Sequence, residues 1–200
     1  IGASGAPGTL RVTTMETINS RINVMQPFYV DTSVVVPKYL SVSSGTFEVS
    51  GALTIQPSSA LWVAGAVTVS QLLTIDRNWS PTAVVNAGNL TVAAGRTLST
   101  VHKLNVDGGM IVKGSYKHSA DVSAQSLELD GSWTSRGGAA TVREDVVVSG
   151  IITHDRTNDA SKCVNFNVKG RFELKASGRI NVDYKSSYTR ASRNNRYNPS

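Results

Sequence analysis

Residues 127–133 read Leu-Glu-Leu-Asp-Gly-Ser-Trp, and this stretch decides the fold. Leu127 and Leu129 alternate with Glu128, the period-two pattern of a strand with one buried face. A glycine follows, then an apolar residue two positions on. The same order of apolar, variable, Gly, variable, apolar recurs as Val-Ser-Gly-Ala-Leu (49–53), Val-Ala-Gly-Ala-Val (63–67), Val-Asp-Gly-Gly-Met (106–110), Val-Ser-Gly-Ile-Ile (148–152) and Val-Lys-Gly-Arg-Phe (168–172). A looser copy with one extra residue is Val-Asn-Ala-Gly-Asn-Leu (85–90).

The central glycines stand at 51, 65, 88, 108, 131, 150 and 170, spaced by 14, 23, 20, 23, 19 and 20. A period near 20 marks stacked repeat units. It predicts an all-β, parallel β-solenoid, or β-helix, of short strands separated by bends, with coils about 4.8 Å apart. Stacking the motifs in one register predicts an inner column of Leu53, Val67, Leu90, Met110, Trp133, Ile152 and Phe172, with glycines 108, 131, 150 and 170 in neighbouring coils. A β-sandwich is the rival: it accounts for the alternation but not for the period. Helical signals are scarce. Thr14 to Val24 has apolar spacing that suits a helix, yet it ends in Arg-Ile-Asn-Val, a string that recurs at 179–182 in a strand setting.

The pattern divides the chain into an N-terminal arm and cap (1–39), solenoid repeats (40–183) and a basic, Tyr/Arg-rich C-terminal arm or linker (184–200). Pro27 and Pro37 interrupt the period in the first part. Aromatic residues make up 6% of the chain and charged residues 17%, so the core must be Val, Leu, Ile and Ala under a surface of Ser, Thr, Asn and Gly. The formal charge of +6 is uneven: residues 162–200 hold nine basic and two acidic groups, and the remainder is close to neutral. No apolar run reaches 18 residues, so no transmembrane segment is expected. A chain that starts at Ile1 is expected to be a processed form or a fragment. The single cysteine, Cys163, can make neither an intramolecular disulfide nor a cysteine zinc site. Its setting predicts a buried thiol, with an intermolecular link or a reactive thiol as the alternatives.

The segment Phe172-Glu-Leu174-Lys-Ala-Ser-Gly178-Arg-Ile180-Asn-Val182-Asp183-Tyr184-Lys185 resembles a unit of secreted and cell-surface right-handed parallel β-helix, or pectin-lyase-like, proteins. The resemblance covers about residues 40–185. It departs where a glycine-rich loop would follow, since Tyr-Lys-Ser-Ser-Tyr stands there instead. It implies a β-helix and a choice among adhesins, matrix or surface-layer proteins, and polysaccharide lyases or hydrolases. Fold alone does not choose among these.

Chemistry-bearing residues are sparse. Asp107 and Asp130 each precede a motif glycine. In a single register they would share one outer face and offer a weak candidate for a calcium site or an acid/base pair, with Lys113 nearby. The histidines at 102, 118 and 154 show no close metal-ligand spacing, and no nucleophile elbow or phosphate-binding loop is present. Trp62, between Leu61 and Val63, is predicted to face outward, where it could stack on a sugar or a neighbouring subunit, and Trp133 inward. Asn78-Trp-Ser and Asn89-Leu-Thr are glycosylation sequons. The C-terminal residues Tyr184, Lys185, Tyr188, Arg190, Arg193, Arg196 and Tyr197 interleave arginine with tyrosine and form the candidate interaction segment. The near-neutral solenoid body argues against nucleic acid as the partner.

The sequence therefore points to a non-enzymatic structural protein without cofactors, secreted or at the cell surface. Its expected partner is itself, as a homo-oligomer or filament joined through terminal arms and coil ends. A monomeric adhesin or glycan-binding module is the first alternative, and a polysaccharide lyase or hydrolase the second.

Overall fold

A computed structural model of the chain describes residues 10–12, 21–155 and 164–182. They form a parallel β-solenoid with coils about 19 residues apart, and among the described residues there is no helix. The strands stack into three faces, and a typical coil of the body adds one rung to each.

Ladder I runs through β1 (Leu10–Val12), β3 (Phe28–Val30), β6 (Phe47–Val49), β9 (Val67–Ile75), β10 (Val85–Val92), β12 (Leu104–Val106), β15 (Val122–Ala124), β18 (Ala140–Val142) and β21 (Phe166–Val168). Ladder II runs through β4 (Val34–Val35), β7 (Leu53–Ile55), the second halves of β9 and β10, β13 (Gly109–Val112), β16 (Ser126–Leu129), β19 (Val146–Val148) and β22 (Phe172–Leu174). Ladder III has two runs, β2 (Arg21–Val24), β5 (Tyr39–Val42) and β8 (Leu61–Val63), then β11 (Thr97–Thr100), β14 (Ser115–His118), β17 (Ser132–Ser135), β20 (Ile151–His154) and β23 (Arg179–Asn181). Trp79 joins the two runs. It forms an isolated parallel bridge with Leu98, and its Nε1–H donates to the Leu61 carbonyl at 3.2 Å.

The strands form where the sequence alternates, because alternation lets every second side chain enter the core. β6, β7, β12, β15, β18 and β19 all read buried, half-buried, buried. Register turns these positions into axial columns. On ladder II, Leu53, Leu73, Leu90, Met110, Leu127, Val146 and Phe172 are successive partners, and Ile55, Ile75, Val92, Val112, Leu129, Val148 and Leu174 form a second column. Burying one such side chain stabilises the fold by ~1.5–3 kcal/mol. Aromatic pairs add to the filling. Phe28 stacks on Phe47 at 5.4 Å, and Trp133 meets Tyr116 edge-on at 4.6 Å and Phe166 at 5.0 Å.

The solenoid stands as expected, but the single glycine register does not. Gly51, Gly88, Gly108 and Gly170 lie at the corner between ladders I and II, Gly131 and Gly150 at the corner between II and III, and Gly65 before ladder I. Hence Gly131 stacks with Gly150, whereas Gly108 and Gly170 belong to another corner. The expected inner column divides in the same way: Trp133 and Ile152 fill ladder III, Val67 fills ladder I, and the other four fill ladder II. The physical reason is that all three corners face one constraint. A Cβ on Gly131 would lie 1.8 Å from the Gly114 carbonyl oxygen, and one on Gly150 would lie 1.9 Å from that of Gly131. Each glycine gives the coil below room to pass.

Two further expectations change. The ladders begin before residue 40: β2 through β5 already pair in register, so Pro27 and Pro37 stand at corners of coils and not in a cap. Arg21–Val24, at the end of the helix-like stretch, is a strand.

The core also holds polar side chains. Thr100, His118, Ser135 and His154 are successive partners on ladder III, and all four are buried. Thr100 Oγ1 and Tyr116 Oη share a 2.8 Å hydrogen bond. His118 Nδ1 donates to the Ala120 carbonyl at 3.0 Å, and its Nε2 finds no protein partner. Its ring lies 5.7 Å from Tyr116 and 5.2 Å from Trp133. Burial pushes the His118 pKa below its ordinary value, against smaller raising effects from the Ala120 carbonyl and the Asp121 carboxylate.

These features give two expectations. Gly131→Ala forces a methyl group into the Gly114 backbone and should destabilise by about 3 kcal/mol or more. Gly95→Ala meets nothing within 4 Å and bears only the strain of φ +71, so it should cost about 1–2 kcal/mol. Urea unfolding of both variants measures the contrast. For His118, the unfolded chain takes up a proton more readily than the folded one. Its contribution is therefore intact above the unfolded pKa of about 6.5 and is lost as the pH falls below it. The urea midpoint should drop between about pH 7 and pH 5, and His118→Phe should flatten that slope relative to the parent.

Candidate functional site

Two surfaces stand out from the regular body: the polar outer face of ladder I and the C-terminal end of the solenoid. On the first, Thr68, Asn86, Asn105, Ser123 and Thr141 occupy successive outward positions. Asn86, Asn105, Ser123 and Thr141 line an open groove of about 570 Å³ together with Lys103, Arg143, Asp107 and Asp121. The groove's amides are turned along the axis. Asn105 Nδ2 donates to Asn86 Oδ1 at 2.7 Å, Asn86 Nδ2 donates to Thr68 Oγ1 at 3.3 Å, and Ser123 Oγ donates to Asn105 Oδ1 at 3.2 Å. This chain of bonds ties four coils together. The two amides of the groove, Asn86 and Asn105, are thus engaged within this chain of bonds.

Asp107 belongs to this face, just after β12. Asp130 does not, because it follows β16 at the corner between ladders II and III, where Ser149 Oγ donates to its carboxylate. The stacked acidic pair expected from a single register is thus separated by a full strand of the coil, and with it goes the basis for a shared calcium or acid/base site. Lys113 follows β13, on Asp130's side. Among the described residues, no three His, Cys, Asp or Glu side chains gather in a way that would hold a metal ion.

Other acids and amides serve the corners. Asn78 Oδ1 accepts the Thr97 N–H, Asn89 Oδ1 the Gly109 N–H, Asp121 Oδ1 the Ala139 N–H and Asp145 Oδ1 the Arg171 N–H, each at 2.9–3.0 Å. Both sequon asparagines are therefore corner acceptors. The ion pairs Arg11–Asp31, Arg96–Asp76 and Arg136–Asp155 likewise join neighbouring coils on the surface. The Arg11 guanidinium, bonded to both carboxylate oxygens of Asp31, holds that carboxyl below the usual range. Trp62 is exposed, as alternation predicts, and Trp133 is buried.

The second surface is the last described coil. Inside the body, inward apolar side chains are almost wholly buried. In this coil the equivalents are open: Phe172 is 38% exposed, Leu174 47%, Ile180 49% and Val182 44%. Among the described residues, β21, β22 and β23 each pair on one side only. The rim is cationic, with Lys169, Arg171, Lys175 and Arg179 against Glu173, whose carboxylate binds Lys175 and Arg171 and is held below its ordinary pKa by them. Sequence reasoning missed this surface because Phe172, Leu174 and Ile180 read as core like every other copy. Only the position of their coil in the stack exposes them. The candidate segment Tyr184, Lys185, Tyr188, Arg190, Arg193, Arg196 and Tyr197 lies outside the described residues, as does Cys163.

Among the described residues, no helix is long and apolar enough to cross a membrane. Compared with family models, with curated protein sequences and with solved structures, the chain matches none.

Proposed function

We propose that this chain is a structural subunit of an extracellular fibre, matrix or surface assembly, and that it associates with its own kind through the ends of the solenoid. The exposed apolar coil at residues 166–182 carries this reading. Paired-edge strands with an open core are a template for another strand layer, and natural solenoids normally close such an end with a polar cap. Among the described residues, Leu174 and Ile180 stand exposed at that end. The Ser-, Thr-, Asn- and Gly-rich surface and the resemblance to secreted β-helix proteins support an extracellular setting. A structural role is favoured over a catalytic one because Asp107 and Asp130, the carboxylates that a hydrolase reading would use, stand at different corners.

A second reading, a monomeric glycan-binding module, draws on the groove beside Asn86, Asn105 and Arg143. It ranks below the first because the groove's amides bond along the axis.

Sedimentation of the full chain over a range of concentrations tests the proposal. The mass should rise with concentration. Leu174→Lys, placed on the open face, should return the chain to a monomer while leaving its unfolding free energy in urea within about 0.5 kcal/mol of the parent, as surface substitutions do. A parent that stays monomeric at the highest concentration, or a Leu174→Lys variant that assembles as well as the parent, overturns it.

A further inference from the structure

The tetrapeptide Arg-Ile-Asn-Val occurs at 21–24 and again at 179–182. The structure places the two copies at opposite ends of one face. Arg21–Val24 is the first described rung of ladder III, and Arg179–Asn181 is its last described strand, with Val182 directly after it. They are also in the same phase. Ile22 pairs with Leu40 and Ile180 with Ile152, both buried partners, while Arg21 and Arg179 pair with the outward Tyr39 and Ile151.

We infer that the occupant of the exposed C-terminal coil is the N-terminal coil of a second copy, seated head to tail and in parallel register, so that Arg21-Ile-Asn-Val24 covers Arg179-Ile-Asn-Val182. This rests on the self-association proposed above and specifies its partner surface, direction and register.

Ladder I fits the same seating. Leu10-Arg-Val12 is the first described strand of that ladder and Phe166-Asn-Val168 the last, so Leu10 falls on Phe166. Leu10, itself 38% exposed, would then gain the cover that Phe28 has from Phe47. The two rungs are also correctly spaced along the chain. From the inward residue of ladder I to that of ladder III the first coil takes 12 residues, Leu10 to Ile22, and the last takes 14, Phe166 to Ile180. Coils within the body span 11, from Val122 to Trp133, to 14, from Phe47 to Leu61. A first coil set on a last coil therefore continues all the ladders it meets without changing the coil's circumference. Because the contact uses two different surfaces, it is heterologous and propagates into an open filament unless rotation closes it.

The seating has one unfavourable element, and it supplies the test. Arg21 and Arg179 become neighbours on one outward column, where like charges directly opposite destabilise. At low salt, Arg179→Glu should tighten association of the full chain by roughly fivefold, and Arg21→Glu should do the same, because each places a glutamate against an arginine. The double variant Arg21→Glu, Arg179→Glu should fall back to the parent level. Added salt should strengthen association of the parent and weaken that of both single variants. The parent and all three variants are compared by sedimentation, with urea midpoints confirming that each is folded.

Each alternative gives a different result. If two C-terminal coils face each other, Arg21→Glu changes nothing and the head-to-tail inference fails, while self-association stands. If the parent and all variants remain monomeric, the end is covered from within the same chain or by another protein, and both this inference and the reading beneath it fall. Equal association of the double and single variants also overturns the register.

Discussion

The hydrogen bond along the axis is the interaction on which the rest of the molecule depends. In every ladder the strands pair in parallel, and a coil in the body bonds to one neighbour above and one below. A single coil of about 19 residues cannot bury its own apolar face. It becomes stable only between two others, where its inward side chains continue columns such as Leu73, Leu90, Met110 and Leu127. Stability is thus shared between neighbours and not concentrated in a central core. The same arrangement allows the low aromatic content, because Val and Leu repeated at one position pack against themselves at every level.

Corners are where this periodicity meets difficulty. The chain must turn three times per coil while the coil beneath it turns at the same place. Glycine solves the steric part, as the close approach of Gly131 to the Gly114 carbonyl shows. The hydrogen-bond part is solved by side chains. Where the ladder lapses between strands, Asn78, Asn89, Asp121 and Asp145 accept N–H groups that would otherwise have no partner in the next coil. Four acids and amides of the described corners are explained in this way. An acid before a glycine is therefore a weak sign of chemistry in this architecture.

The fold was legible because alternation and glycine spacing are direct consequences of stacking. The register was less so. A motif that answers a constraint common to three corners recurs at each of them, so intervals of 14 and 23 residues are steps from one corner to another and not irregular coils. The apolar pairs of a single coil, Leu104 and Val106, Met110 and Val112, then Tyr116, already mark three faces six residues apart. That signal separates the corners, and with them Asp107 from Asp130. The inward polar column of Thr100, His118, Ser135 and His154 carried no such mark, since polar residues in alternation read as outward. Their burial depends on which corner begins the strand. Prolines misled for a related reason: Pro27 and Pro37 break the alternation, yet each occupies a corner, where a missing N–H is tolerated.

A structure made by repeating one interaction has no internal reason to stop. Each coil offers the next the same backbone edge and the same apolar columns, so length is limited only by residues that differ at the ends. At the C-terminal end of the described solenoid these differences are slight. Phe172, Leu174 and Ile180 continue the inner columns in kind and in phase, and what changes is the outer rim, where Lys169, Arg171, Lys175 and Arg179 gather. Apolar columns favour a further layer through contact alone, whereas a cationic rim opposes a like-charged one over about a Debye length, ~8–10 Å at physiological salt. The two effects act at different ranges and answer to different conditions. On the proposed reading, the columns would set whether a layer can be added, and the rim would set when.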